Sequence, residues 1–417
     1  MRLLLAALLL FLTTTTLRAA DGLAGKVFVG YQGWFAAPAV GGTNVRWHHY
    51  GHQGKFEPAN ASVEMWPDVA DLPAADRVAT PFKHPGGRTA EVFSSASPAT
   101  VDVHFAWMKQ YGIDGAFLQR FGASVNSKGV APHLARVLDN VRKSAAAHGR
   151  AYCVMYDLSG LKRGQIKSVV MDDWRRLATE LKVRDDRTYL KHAGKPLVAV
   201  WGIGFNDDRD YTLAECAELL EFLKNDPTAG GNAVMIGVPF YWRTGNRDAL
   251  ADPLLHDIIA RADVVSPWAV GRYAKPQQLA KVRTDVYEPD LKWLADRGAQ
   301  AKREIAYLPV VFPGFSWRNL QKLRGKDAPL DAIPRLGGQF MWAQAVAAKR
   351  AGATAIYVAM FDEIDEATAV FKVSADPPEG FLKLDAPRSD HYLWLTGELG
   401  RMLRGEIPAH EEMPVRK

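Results

Sequence analysis

The sequence predicts an α/β fold built as one (β/α)8 barrel with long strand-to-helix loops, on three observations. Short apolar runs recur at strand length, amphipathic helical patterns separate them, and no glycine-rich dinucleotide fingerprint follows the first run. The runs are residues 26–31 (KVFVGY), 115–121 (GAFLQRF), 152–157 (YCVMYD), 197–202 (LVAVWG), 233–239 (AVMIGVP), 263–267 (DVVSP), 305–311 (IAYLPVV) and 355–361 (AIYVAMF). They are apolar with little alternation, as strands covered on both faces should be.

Between the runs, residues 131–148 read as a helix closed by Gly149, 171–181 as a second, 212–223 as a third capped by Thr212, and 338–350 as a fourth ending near Gly352. The link over residues 32–100 is too long for a simple connection and is rich in Gly, Pro, His and Trp, which marks a loop with a function of its own. The barrel is expected over residues 21–407 as a single domain, with a mobile tail over 408–417.

The chain opens on Met1-Arg2, an apolar run over residues 3–12, four threonines and the small residues Ala19 and Ala20. That pattern predicts a cleavable export signal over residues 1–20, too short to span a bilayer, and a secreted or periplasmic protein with no membrane contact after cleavage. The formal charge of +6 loses two positive charges with the signal, and the remaining Lys and Arg are scattered. A nucleic-acid partner is therefore not expected. Cys153 and Cys216 sit in apolar stretches and read as core thiols, with a disulfide as the alternative. Nothing in the sequence sets the oligomeric state.

In such a barrel the active site gathers at the carboxyl ends of the strands. Residues at those positions are polar and aromatic: Gln32, Trp34 and Phe35, then Gln119 and Arg120, Tyr156 and Asp157, Trp201, Tyr241-Trp242-Arg243, Trp268 and Tyr273, and Phe312, Phe315 and Trp317. Aromatic faces suit sugar rings, whose C–H surfaces are apolar while their hydroxyls need partners. The bland alternative is that several of these rings cap the barrel core. The expected sugar contacts are Tyr31, Trp34, His48, His49, Arg120, Tyr156, Asp157, Tyr241, Trp268 and Trp317.

The strongest signal follows the last run, where Asp362, Glu363, Asp365 and Glu366 crowd into five positions. Glu363 and Glu366, three apart, can aim into one cleft if the chain begins to coil. Like charges so close cannot all ionise cheaply, so one carboxyl keeps its proton while another serves as base, the pair that glycoside cleavage requires. Asp362 and Asp365 are expected to support the pair or to cap the following turn.

These features resemble glycoside hydrolase family 99 and the bacterial proteins described as family 71/99-like. Glu363-Ile364-Asp365-Glu366-Ala367-Thr368 is similar to that family's strand-eight Glu-x-x-Glu motif followed by a small residue and Thr. Val29-Gly30-Tyr31-Gln32-Gly33-Trp34-Phe35 resembles its first strand, and Arg46-Trp47-His48-His49-Tyr50 the His/Trp segment beyond. The resemblance implies retaining hydrolysis through a 1,2-anhydro sugar, with Glu363 deprotonating the 2-hydroxyl and Glu366 as acid/base. It departs between the glutamates, where the family carries an aromatic and a His and this chain Ile364 and Asp365. Residues 62–68 (SVEMWPD) also differ from the mannan-cleaving members.

Other chemistries fit less well. His48, His49, His52 and Glu57 match no standard zinc spacing, no Gly-x-Ser-x-Gly elbow follows a strand, and no phosphate-binding glycine loop is present, so neither metal nor cofactor is expected. Two alternatives stay open: a carbohydrate-binding barrel without turnover, and an inverting glycosidase.

Overall fold

The computed structural model describes residues 22–38 and 46–416, and the expected export signal lies outside them. Among the described residues, parallel strands run β1 (Val27–Tyr31), β2 (Gly115–Phe121), β3 (Ala151–Asp157), β4 (Lys195–Trp201), β5 (Ala233–Pro239), β6 (Val264–Trp268), β7 in two pieces (Ala306–Tyr307 and Val310–Val311) and β8 (Ile356–Val358). Each pairs with its neighbour in chain order, and β1 pairs with both β2 and β8. The ring closes through β7. Leu308 N donates to Val265 O at 2.9 Å on one side, and Pro309 O accepts from Tyr357 N at 3.0 Å on the other. Pro309 has no N–H to give, so the strand breaks where it changes partner.

The expected strands are all present, most shifted by a residue or two at the ends. β8 stops at Val358 rather than residue 361, yet the chain stays extended, with Ala359 N bonded to Val311 O and Phe361 N to Gly30 O. Helix Ala131–His148 ends at left-handed Gly149, and Gln339–Ala351 at left-handed Gly352. Leu213–Asn225 begins with a capping box in which Glu215 N donates to Thr212 Oγ1 and Thr212 N donates back to Glu215 Oε2. The helix expected over 171–181 is Asp172–Thr179, preceded by a π turn, Ile166–Met171, whose Ile166, Val169, Val170 and Met171 extend its buried face.

The long first loop builds an aromatic cluster from Phe35, Tyr50, Phe56, Trp66, Phe82 and Phe93, and a hairpin of Val78–Lys83 and Thr89–Val92. It grips the loop after β8: Glu64 N and Met65 N donate to Ile364 O, Asp68 N to Lys372 O, and Ser374 N donates back to Trp66 O. An acidic loop that would otherwise repel itself open is thereby held by backbone bonds. The segment from Pro408, expected to be mobile, packs back: Trp342 Nε1 donates to His410 O at 2.9 Å, and Arg416 pairs with Asp390 at 2.6 Å. Cys153 and Cys216 are free buried thiols, and burial pushes the Cys216 thiol up to about 12. Among the described residues no helix is long and apolar enough to cross a membrane.

Candidate active site

Asp362 joins the two ends of the chain's first and last strands. Its carboxylate is wholly buried and accepts Gln32 N at 2.7 Å and Gly33 N at 2.9 Å. Burial still pushes Asp362 up to about 7 against the pull of those bonds. Its role is to fix the loop, and through Gln32 it fixes the next residue too. Glu363 accepts Gln32 Nε2 at 2.6 Å on one oxygen and Thr368 Oγ1 at 2.6 Å on the other. Burial, and then the charges of Glu366 and Asp365, hold Glu363 well above the ordinary carboxylate range.

Glu366 is the contrast. It is partly exposed, and among the described residues nothing hydrogen-bonds its carboxylate. Burial and the Asp365 charge push it up to about 7, with Arg324 pulling the other way. Asp365 is also raised to about 7, chiefly by burial, and its Oδ2 lies 3.3 Å from His49 Nδ1. These acids feel one another's charge, so they titrate as a group rather than singly. Near neutral pH such a cluster holds protons on some members and charge on others, which supplies an acid and a base from adjacent side chains.

His49 reaches the cluster from the long first loop. Its ring stacks on Trp34 at 3.9 Å and 6°, and burial lowers it to about 3, so it is neutral. His48 donates from Nδ1 to Trp34 O at 3.1 Å and is lowered by burial to about 4. Trp34 has His49 on one face and Phe121 on the other, at 5.1 Å. It presents an edge rather than a free platform.

Strand alternation sorts the remaining expected contacts. Successive side chains point to opposite faces, so on β2 and β3 Gln119 and Met155 face one way and Arg120 and Tyr156 the other. Gln119, Met155 and Tyr357 touch one another inside the barrel. Arg120 and Tyr156 instead point out to the helix layer, where Asp173 of helix Asp172–Thr179 accepts Arg120 Nε at 2.9 Å, Arg120 Nη2 at 2.7 Å and Tyr156 Oη at 2.7 Å. Tyr31 lies outward as well, wholly buried with its hydroxyl 2.9 Å from His104 Nδ1. These three therefore brace the barrel and do not line its mouth.

Asp157 has inward parity, and its Oδ1 accepts Ser159 N at 2.7 Å. Trp201 and Trp268 meet edge to face at 5.4 Å at the ends of β4 and β6. Tyr241 lies on the loop after β5, with Arg247 4.4 Å above its ring and bonded to its hydroxyl at 2.6 Å. Trp317 stands beside Glu366 in the chain path, because Ser316 N donates to Glu366 O at 3.0 Å. The mouth thus brings together Glu363, Asp365, Glu366, Trp34, His49 and Trp317, with Asp157, Trp201 and Trp268 on the strands opposite.

Gln32, Gln119, Asp173 and Thr368 were not among the expected contacts. Alternation says that Gln119 and Arg120 face opposite ways, but a strand buried on both faces carries no polar pattern to say which of them points inward. No sequence pattern marks Asp173, which meets Arg120 only through tertiary packing.

Five buried polar atoms with no partner among the described residues lie at this mouth, Gln32 Oε1, Trp34 Nε1, Gln119 Oε1, Trp201 Nε1 and Asp365 Oδ1, while others, such as Ser95 Oγ, Asn232 Oδ1 and Trp242 Nε1, are scattered through the rest of the fold. Native interiors satisfy nearly all such groups, so a cluster of them at one end of a barrel is suited to a polar ligand with several hydroxyls.

No protein-family model matches the chain, and no curated protein matches it. Among solved structures, the GH99 endo-α-mannosidase from Bacteroides thetaiotaomicron in complex with bis-tris-propane is similar, at 16% identity over 92% of this chain and 98% of that chain, with a TM-score of 0.64. A second structure of that enzyme gives the same identity and coverage and a TM-score of 0.63. At this identity the likeness is one of fold, and it covers the whole barrel that carries the acidic cluster.

Proposed function

We propose that the chain is a glycoside hydrolase of the family 99 type, exported by its N-terminal leader and acting on a polysaccharide or oligosaccharide. The observation that carries this reading is the pair of carboxyls, buried Glu363 and partly exposed Glu366, in a mouth that also holds unsatisfied polar atoms and aromatic edges. The shared fold with an endo-α-mannosidase agrees with it.

In the reaction, Glu363 takes the proton of the sugar's 2-hydroxyl, held in place by Gln32 and Thr368. The 2-oxygen attacks the anomeric carbon as the glycosidic C–O bond breaks, and Glu366 gives its proton to the departing oxygen. This forms a 1,2-anhydro sugar. Glu366 then takes a proton from water, whose oxygen opens the three-membered ring at the anomeric carbon, and Glu363 returns the proton to the 2-oxygen. Two inversions at one carbon leave the configuration retained. Glu366 suits the acid/base role because it is the member left free of hydrogen bonds and open to the mouth.

The test is release of new reducing ends from a panel of plant, algal and microbial polysaccharides by wild type and Glu366→Gln. The reading requires release by wild type and its loss in the variant with ligand still bound. A chain that binds a glycan and never cuts one would be a binding barrel.

A further inference from the structure

Beside the acidic mouth lies a hollow of about 400 Å3, walled by the first-loop hairpin, by helix Arg318–Leu323 after β7, and by the segment around Gly380 after β8. All three walls come from loops that follow strand carboxyl ends, so the hollow opens on the same face as the site. It is also joined to the site by hydrogen bonds. Ser316 N donates to Glu366 O, while Ser316 Oγ and Asn319 N both donate to Glu64.

The floor is apolar, with Pro81 and the buried rings of Phe82 and Phe381, which meet edge to face at 5.4 Å. The rim is cationic: Lys83, Arg318 and Lys322 line it, against Glu379 as the acidic lining residue. Arg324 and Lys326 follow on the next turn. Arg318 is drawn toward Glu64 and Arg324 toward Glu366. Lys83 is bonded only to the neutral Thr89 hydroxyl, and among the described residues Lys322 and Lys326 have no carboxylate partner. Some exposed lysines elsewhere pair with nearby acids, as Lys143 does with Asp139 and Lys292 with Asp296, and others, Lys109 and Lys195 among them, have no carboxylate partner among the described residues; what marks this rim is that its basic side chains gather over one apolar hollow. An unpaired basic rim over an apolar floor is complementary to a sugar ring that carries a negative charge, its C–H face on the prolines and phenylalanines and its anion on the ammonium groups.

We propose that this hollow is a subsite for an anionic sugar, and that the polysaccharide cleaved at Glu363 and Glu366 bears carboxylate or sulfate groups. The proposal rests on the glycosidase reading above for the cleavage and on the hollow alone for the charge.

The experiment uses Glu366→Gln to hold substrate without turnover, in affinity gel electrophoresis against polygalacturonate, chondroitin sulfate and neutral galactomannan. The anionic polymers should retard it, with the polyuronate and the sulfated polymer showing which anion is preferred. Adding K83E and K322E should weaken that retention by about tenfold or more, and about 0.5 M salt should abolish it, as screening demands. Retention by galactomannan alone, or retention of an anionic polymer untouched by the charge reversal, would overturn the proposal. If wild type cleaves a neutral polymer and K83E/K322E cleaves it equally well, this inference falls and the hydrolase reading stands. Anionic polymer held through Lys83 and Lys322 but never cut gives the reverse.

Discussion

Replacing Asp173 by alanine tests whether Arg120 and Tyr156 brace the barrel from outside. In the native protein Asp173 is 6% exposed and Arg120 3% exposed, and the two form a bidentate pair to which Tyr156 and Arg176 add further bonds. Counting each charge-assisted bond at about 1.5–3 kcal/mol would give an implausibly large sum, because the bonds share one carboxylate and water partly replaces them. The governing quantity is the Arg120 charge left buried without its partner, which costs about 3–5 kcal/mol. Urea unfolding followed by tryptophan fluorescence should show a loss in that range for Asp173→Ala. Replacing both charges, Arg120→Met with Asp173→Leu, should recover part of that loss, since no charge is then stranded and only the buried Tyr156 hydroxyl is left without its acceptor, at about 1–3 kcal/mol. Because neither residue faces the mouth, the double variant should also keep the wild-type KM. A single variant that loses less than about 1 kcal/mol, or a double variant that is stable but has lost substrate affinity, would refute this reading of Arg120.

Gln119→Leu makes the converse case: its side chain faces into the barrel with Oε1 unpartnered, so KM should rise about tenfold while the unfolding midpoint hardly moves. Glu363→Gln and Glu366→Gln should each lower kcat by about 10²–10⁴, and the double variant should lose little more than the worse single one, because the pair acts as a unit. Asp365→Asn addresses the pH dependence of stability. Asp365 is raised in the fold from an ordinary carboxylate value to about 7. A carboxyl raised in the fold contributes stability that is fully present below its unfolded pKa and lost as pH rises through the folded one. The thermal midpoint of Asp365→Asn relative to wild type should therefore improve between about pH 4 and about pH 7, and a difference that worsens over that window would contradict the assignment. Over the same range the neutral, half-buried His48 and His49 have the opposite sign, so the comparison must be between variant and wild type rather than along one curve.

Much of the architecture was legible because the strands are continuous apolar runs and the helices carry their own stop signals, Gly149 and Gly352 among them. The acidic cluster was legible for a different reason: four carboxyls directly after a buried strand have no solvated face to occupy. Side-chain direction was harder to read. Tyr31, Arg120 and Tyr156 sit at strand ends as expected, but a strand buried on both faces shows no polar alternation to say which neighbour points inward. Trp34 reached the mouth only to be covered on both faces by His49 and Phe121, a packing that depends on how a long loop folds back. The basic rim of the neighbouring hollow was invisible for the same cause, since Lys83 and Lys322 are 239 positions apart and meet only across the folded loops.

The most direct measurement is proton NMR of the first sugar product, taken before mutarotation, on whichever polysaccharide the wild-type protein cleaves. Participation of the 2-hydroxyl through Glu363 predicts a product with the anomeric configuration of the bond that was broken. An inverted product would mean that water attacks directly and that Glu363 does not act through the sugar.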